Sequence, residues 1–268
     1  GLEAIMFLEW IYPLVKYFTP LNVFRYLTFR SAYSAVTALL VAFLFGPAII
    51  ERLRRLKFGQ SVRLDGPQSH LIKSGTPTMG GLLIIAAAVS ATLLWVDLSN
   101  RYVWICLGSM LGFGALGFLD DWLKIKRKNS DGVSAKAKLI VLAVIALGAA
   151  LALYYDPSGE MTKLYVPFFK NPVVDLGVFW IPLAVIYVMG WSNAVNLTDG
   201  LDGLAIGCAV IAAMAYAVLS YVAGNFTASD YLNIFYLPGA GELSVFCAAM
   251  IGAGLGFLWF NSHPATVF

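Results

Sequence analysis

Acidic and amide side chains gathered in three short segments are the features of this sequence best suited to chemistry. The run Leu119-Asp120-Asp121-Trp122-Leu123-Lys124 puts two adjacent carboxylates at the end of a long apolar stretch. Charged groups inside apolar spans are costly and usually mark function. On a helix Asp120 and Lys124 share a face, whereas Asp121 points about 100° away. Taken alone, this pair could also just solvate a helix end among Lys124, Lys126, Arg127 and Lys128. The second segment, NAVNLTDGLDGLA over 193–205, carries Asn193, Asn196, Asp199 and Asp202 at intervals of three. A turn-rich surface would present these four together, and its two glycines would let backbone approach a ligand closely. Helix N-capping accounts for Asp202 alone but not for four evenly spaced members. The third segment, DGPQSHLIKSGTPTMGG over 65–81 and preceded by Arg63, is an ordered-loop sequence. Lys73 and Thr78 offer donors suited to a phosphate or a base carbonyl. His70 reads as a loop hydrogen-bonder.

Carboxylate and amide oxygens with few nitrogens suit Mg2+, which is held by one or two carboxylates plus substrate phosphates. Flanked by Lys73, Lys124 and Lys138, such a site fits a diphosphate whose charge the metal neutralises during phosphoryl transfer. No Walker loop is present and no GxGxxG precedes a helix, so an ATP-driven transporter is disfavoured. A proton-coupled carrier would want its acids near the midplane rather than at one face.

The elements that must position these groups are membrane spans. Of 268 residues, 60% are hydrophobic and 12% charged, with mean hydropathy +0.78. A soluble domain averages about 45–50% apolar and roughly 25% charged. Runs approaching the ~20 residues that cross a ~30 Å hydrocarbon core recur along the chain. Seven spans are expected, over 32–50, 79–96, 102–122, 139–155, 174–190, 204–223 and 243–260, giving an all-α polytopic bundle in a single membrane domain, 1–268. Residues 2–29, interrupted by Pro13 and Pro20, read as an interfacial helix leading into the first span. The opening residues make a poor signal peptide, with Glu3 and Glu9 and no basic start. Cys106, Cys208 and Cys247 read as packing residues rather than a disulfide or metal framework.

Alternating the loops places 50–78, 123–138, 191–203 and the C-terminal end on one side. That side holds Arg52, Arg54, Arg55, Lys57, Arg63, Lys73, Lys124, Lys126, Arg127, Lys128, Lys136 and Lys138, 12 of the 18 basic residues. The other side holds Lys16, Arg25, Arg30, Arg101, Lys163 and Lys170. The positive-inside rule assigns the richer side to the cytoplasm. All three polar segments then fall on that face. Pro157–Gly159 and Pro238–Gly241 mark turns on the opposite face.

Together the motifs NAVNLTDGLDGLA, DGPQSHLIKSGTPTMGG and GAGLGFLWFNSHPA resemble the phospho-N-acetylmuramoyl-pentapeptide transferases of bacterial peptidoglycan synthesis. These belong to the polyprenyl-phosphate N-acetylhexosamine-1-phosphate transferases, and the resemblance runs from about Phe18 to Phe268. Relatives that transfer N-acetylglucosamine phosphate commonly read Asp-Asp-x-x-Asp. Lys124 in the last place favours the muramoyl-pentapeptide branch. The resemblance implies a reaction in the bacterial inner membrane, with the active site on the cytoplasmic face. UDP-MurNAc-pentapeptide and undecaprenyl phosphate give lipid I and UMP, with Mg2+ as cofactor. It implies catalytic roles for Asp120, Asp121 and Asp199, the last on the metal, and activation of the lipid phosphate by the acidic pair. Asn196, Gly200, Leu201, Asp202, Lys73 and Thr78 match nucleotide-side positions, and Lys124, Lys138 and Asn261 further positions lining the cleft. A homodimer suits the family, and no nucleic acid is among the implied partners. Family members continue into a further metal-binding Asp, a His-rich loop and about three more spans, so the chain is expected to be shortened relative to a ten-helix fold and inactive as it stands. His263 is not one of that loop's histidines. From the residues alone, a transferase of another branch, a carrier binding a nucleotide-linked ligand, and a non-catalytic scaffold stay open, and UMP release separates them.

Overall fold

The computed structural model describes residues 14, 17–55, 77–127, 132–166, 171–199 and 201–267. Its long helices are α1 (Leu27–Arg55), α2 (Gly81–Trp95), α3 (Arg101–Arg127), α4 (Ala135–Tyr154), α5 (Trp180–Thr198), α6 (Leu204–Ala223) and, after the short α7 (Phe226–Tyr231), α8 (Glu242–Asn261). Among the described residues six helices are long and apolar enough to cross a membrane. The chain is therefore an all-α, multi-pass membrane protein. The expected second span is the exception. At 15 residues and 1.5 Å per residue, α2 covers roughly 22 Å, short of the hydrocarbon core. Instead of facing lipid along its length, it buries Leu83, Ala87, Ala88, Ala91, Thr92 and Trp95 between α1 and α8.

Small residues decide how the centre packs. Along α1 the buried positions Arg30, Ser34, Ala38, Ala42, Gly46 and Ile50 recur every fourth residue and form one stripe. Against it lies α8, whose buried face includes Ala249, Gly252, Ala253 and Gly256. A Cβ on Gly252 would come within 2.0 Å of the Ala35 carbonyl oxygen, and one on Gly256 within 2.4 Å of Ala42 Cβ. Helix association in lipid rests on such close approach because burial from water contributes little there. The outer helices differ. No residue of α5 is fully buried and only Val210 of α6 is; α5 packs on α4 and α6 on α8, while Leu183, Ile186 and Tyr187 of α5 and Ile211, Val218 and Leu219 of α6 are exposed.

Several boundaries move from their expected places. The first span begins at Leu27 rather than 32, because Arg30 is drawn inside it. Its guanidinium donates to both Glu242 oxygens, at 2.8 and 2.6 Å, and to the Trp95 carbonyl at 3.0 Å. Of the expected interfacial helix, 1–13, 15 and 16 lie outside the described residues, and Thr19–Arg25 form a 3-10 turn. The expected span 174–190 instead starts as a two-residue strand. There β2 (Val174–Asp175) pairs antiparallel with β1 (Lys163–Leu164). Helix α5 follows a 3-10 turn at Gly177–Phe179 and runs to Thr198, with Pro182 in its first turn, where proline is tolerated. The turns at Pro157–Gly159 and Pro238–Gly241 are present, with Gly159 and Gly239 at φ 66° and 84°. Cys106 and Cys247 are half-buried, but Cys208 is exposed on α6, so packing does not account for it.

Candidate active site

Helix α3 ends in three basic residues, Lys124, Lys126 and Arg127, which suit the negative end of its dipole. Two acids one turn earlier are locally unfavourable there and need partners. Lys124 Nζ supplies both, at 2.7 Å from Asp120 Oδ2 and 3.2 Å from Asp121 Oδ1. The expected i,i+4 pairing of Asp120 with Lys124 is present, and the i,i+3 reach to Asp121 brings the second carboxylate onto the same ammonium. The other oxygen of Asp120, Oδ1, accepts the backbone N–H of Val133 at 2.8 Å. Gly132 makes that approach possible: a Cβ there would lie 2.3 Å from Asp120 Oδ1. Asp120 is thus held at both oxygens. Lys126 lies over the Trp122 ring, 4.9 Å from its centroid, an arrangement that suits the membrane interface.

Ser134 then caps α4 by accepting the Ala137 N–H. This directs Lys138, one turn in, toward α5, where its Nζ donates to Asn196 Oδ1 at 3.3 Å. The positive charge of Lys138 also acts on Asp120. Asn193 and Asn196 were expected on a turn-rich surface. Instead they sit on the last turns of α5, where spacing of three keeps them on one side of the helix. Asn193 donates back to the Met189 carbonyl and Thr198 to that of Ala194, so these residues satisfy themselves locally without ending the helix. Asp199 is the C-cap of α5. A carboxylate at that end opposes the helix dipole, a local conflict of the kind functional residues create. Although Asp199 keeps an accessible side, protein atoms crowd its carboxyl. That desolvation, and then the negative charge of Asp121, raise its pKa above the ordinary aspartate value. The charge of Asp121 on α3 thus reaches Asp199 at the end of α5.

A second cluster lies beyond the α5–α6 turn. Asn261, buried at the end of α8, accepts the Gly203 N–H at 3.0 Å. Asp202 Oδ2 lies 3.1 Å from His263 Nδ1. The structure therefore joins Asp120, Asp121, Lys124, Lys138, Asn196 and Asp199 in one group. Asp202 and Asn261 share the other, and Leu201 lies exposed between them. Thr78 lies just ahead of α2 on the same membrane face. Lys73, His70 and Gly200 lie outside the described residues. Sequence reasoning missed the Gly132–Val133 cradle and the His263 contact. A glycine two residues before an N-cap serine was the available signal for the first, and nothing local marked the second.

Helices α3, α4, α5 and α8 thus bring carboxylates, amides and ammonium groups to one end of the bundle. Among the described residues no three acidic, thiol or imidazole groups converge as a metal cage. Residues 103–268 match the family model described as glycosyl transferase family 4, and residues 73–85 match phospho-N-acetylmuramoyl-pentapeptide-transferase signature 1. The chain is 52% identical over 258 residues to the phospho-N-acetylmuramoyl-pentapeptide-transferase of Citrifermentans bemidjiense, covering 96% of this chain and 72% of that protein. It is 51% identical over 258 residues to that of Desulfosudis oleivorans, with the same coverage. To the Thermodesulfovibrio yellowstonii protein of that name it is 48% identical over 264 residues, covering 98% and 73%.

Proposed function

This chain belongs to the phospho-N-acetylmuramoyl-pentapeptide-transferases of glycosyl transferase family 4, and from that premise we propose how its residues divide the work. The activity is transfer of phospho-MurNAc-pentapeptide from UDP-MurNAc-pentapeptide to undecaprenyl phosphate, giving lipid I and UMP for peptidoglycan. An oxygen of the lipid phosphate attacks the sugar-linked phosphorus, a new P–O–P link forms, and the bond to the UMP phosphate breaks. UMP leaves with the bridging oxygen.

A phosphate monoester loses its second proton near pH 6, so a carboxylate base has only a minor protonated form to serve. Asp120, tied at one oxygen to an ammonium and at the other to a backbone N–H, is a weak base and a firm anchor. Asp121, with Lys124 on Oδ1, is the member of the pair that meets the lipid phosphate. Lys124 and Lys138 hold phosphate oxygens, while Asn196, Leu201, Asp202 and Asn261 form the nucleotide side, a role the family resemblance extends to Thr78 and to Lys73 and Gly200, the last two outside the described residues.

The donor set fits Mg2+. The pKa of Asp199, raised by desolvation and then by the charge of Asp121, marks a carboxylate whose ionisation a dication would favour. Mg2+ needs only one or two carboxylates besides waters and substrate phosphates. Asp199 would hold it, and when bound the ion would neutralise charge on the diphosphate. The reading places this site on the cytoplasmic face of the inner membrane, where the basic loops and a soluble nucleotide meet. A homodimer is consistent with the outward apolar faces of α5 and α6.

The observation that carries this reading is the Lys138–Asn196 bridge, which ties the lysine acting on Asp120 to the end of α5 that carries Asp199. Its test is UMP release by the full-length enzyme carrying Asp199→Asn, across a Mg2+ titration. Turnover should fall by at least about 10²-fold at ordinary Mg2+, the scale expected when a reacting group is misplaced by about 1 Å. Wild-type turnover with an unchanged Mg2+ requirement would remove Asp199 from the metal.

A further inference from the structure

The turn between α5 and α6 is clasped by the segment that follows α8. Asn261 accepts from Gly203 and donates through Nδ2 to the Val267 carbonyl at 2.8 Å. Thr266 closes the same segment by donating from its backbone N and from Oγ1 to the Phe260 carbonyl, each at 2.8 Å. Gly203 has φ 76°, and a Cβ there would come within 3.1 Å of Leu258, so the turn rests on the end of α8. Within this clasp His263 Nδ1 stands 3.1 Å from Asp202 Oδ2.

The exposures of the two partners are opposite. The Asp202 side chain is 5% exposed and that of His263 is 82% exposed. Burial does not explain why an imidazole occupies this place. Its one recorded polar contact among the described residues is with a carboxylate otherwise withdrawn from water. With that carboxylate ionised, Nδ1 carries the proton and donates, because a carboxylate only accepts. The terminal torsion of an aspartate is broad, so a charge-assisted hydrogen bond to one oxygen does much to fix its plane.

We propose that His263 is a positioning residue for the nucleotide end of the reaction: by donating from Nδ1 to Asp202 Oδ2 it sets the direction in which that carboxylate meets the nucleotide. The inference rests on the reading of Asp202 as a nucleotide-side residue. It adds a residue from beyond α8 that acts on the pocket through Asp202, without touching the reacting phosphates. The clasp also explains how a side chain so exposed can be held: Asn261 and Thr266 fix the backbone on either side of it.

The experiment measures kcat, KM for each substrate and the UMP inhibition constant of the purified full-length enzyme as wild type, His263→Phe, His263→Asn and Asp202→Asn. His263→Phe should raise KM for UDP-MurNAc-pentapeptide and the UMP inhibition constant together, by about tenfold, the scale of one lost hydrogen bond to a charged group. The kcat and the KM for undecaprenyl phosphate should stay near wild type. His263→Asn, whose Nδ2 is attached at Cγ as Nδ1 is, should recover most of the loss. Wild-type nucleotide constants in His263→Phe, or equal impairment in the Phe and Asn variants, would overturn the proposal. If Asp202→Asn weakens nucleotide binding while His263→Phe does not, the role of His263 alone falls. If Asp202→Asn leaves nucleotide binding intact, the reading of the pocket falls first.

Discussion

Substituting Gly132 by alanine is the smallest change that should disturb the acidic pair without altering any charge. Gly132 does not have positive φ, so alanine introduces no backbone strain, and its effect is confined to contact. The added Cβ would lie 2.3 Å from Asp120 Oδ1, 2.8 Å from its Cγ and 3.0 Å from Lys124 Cε. Relieving that overlap requires a displacement of roughly 1 Å between the loop and the carboxylate. The Val133 N–H bond to the same oxygen, 2.8 Å long, cannot survive such a shift intact. A hydrogen bond to a charged group contributes about 1.5–3 kcal/mol, equivalent to a factor of roughly 10 to 150 in rate if lost only at the transition state. Misplacing a catalytic group by about 1 Å costs a similar factor, on the order of 10². UMP release under saturating substrates should therefore fall by one to two orders of magnitude. Thermal stability should change little, because the overlap lies at a helix end. Gly117→Ala is the control: it lies on α3 with Asp120, and a Cβ there meets nothing within 4 Å. Wild-type kcat in Gly132→Ala would refute the claim that the Val133 N–H sets the position of Asp120.

Two further outcomes concern the opposite end of the bundle. Glu242→Gln leaves the Arg30 guanidinium, 5% exposed, without its counter-charge, and should destabilise the protein by about 3–5 kcal/mol, read as a lower midpoint of thermal unfolding in detergent. An unchanged midpoint would mean that the Trp95 carbonyl suffices for Arg30. Asp156 tests pH dependence. Burial pushes its pKa up, but hydrogen bonds from Ser158 and Tyr102 and the charge of Arg101, 3.2 Å away, outweigh it and leave the pKa below the ordinary 3.8. The stabilisation is therefore complete above pH 3.8 and is lost as pH falls through the lower, folded-state value. Asp156→Asn should lower the unfolding midpoint at pH 7, and its deficit relative to wild type should shrink below pH 3.8. A deficit that stayed constant down to the acid limit would assign the effect to packing.

Composition and hydropathy made the membrane class and most helix positions legible, because in lipid every backbone group must bond within its own segment and only long apolar runs can do so. The acidic pair, its lysine and the Asn/Asp run were equally legible, since charged and amide groups in such surroundings carry a cost that only function or a partner explains. Local propensity misleads at one place and hydropathy at another. Asn193 and Asn196 suggested a turn because asparagine competes with helix backbone, yet α5 continues through both. The span 79–96 was taken as full length on hydropathy, which cannot tell a short helix walled in by neighbours from one that meets lipid.

From sequence alone came the residue types, their periods of three and four, and hence which groups could share a helix face. Tertiary structure decided which of those faces meet. That Lys138 reaches Asn196, that the Val133 N–H occupies one oxygen of Asp120, and that His263 reaches Asp202 are contacts between residues 13 to 61 positions apart. No local spacing encodes them. They follow from how the helices pack, α4 against both α3 and α5, and α6 against α8, which sets where their ends meet.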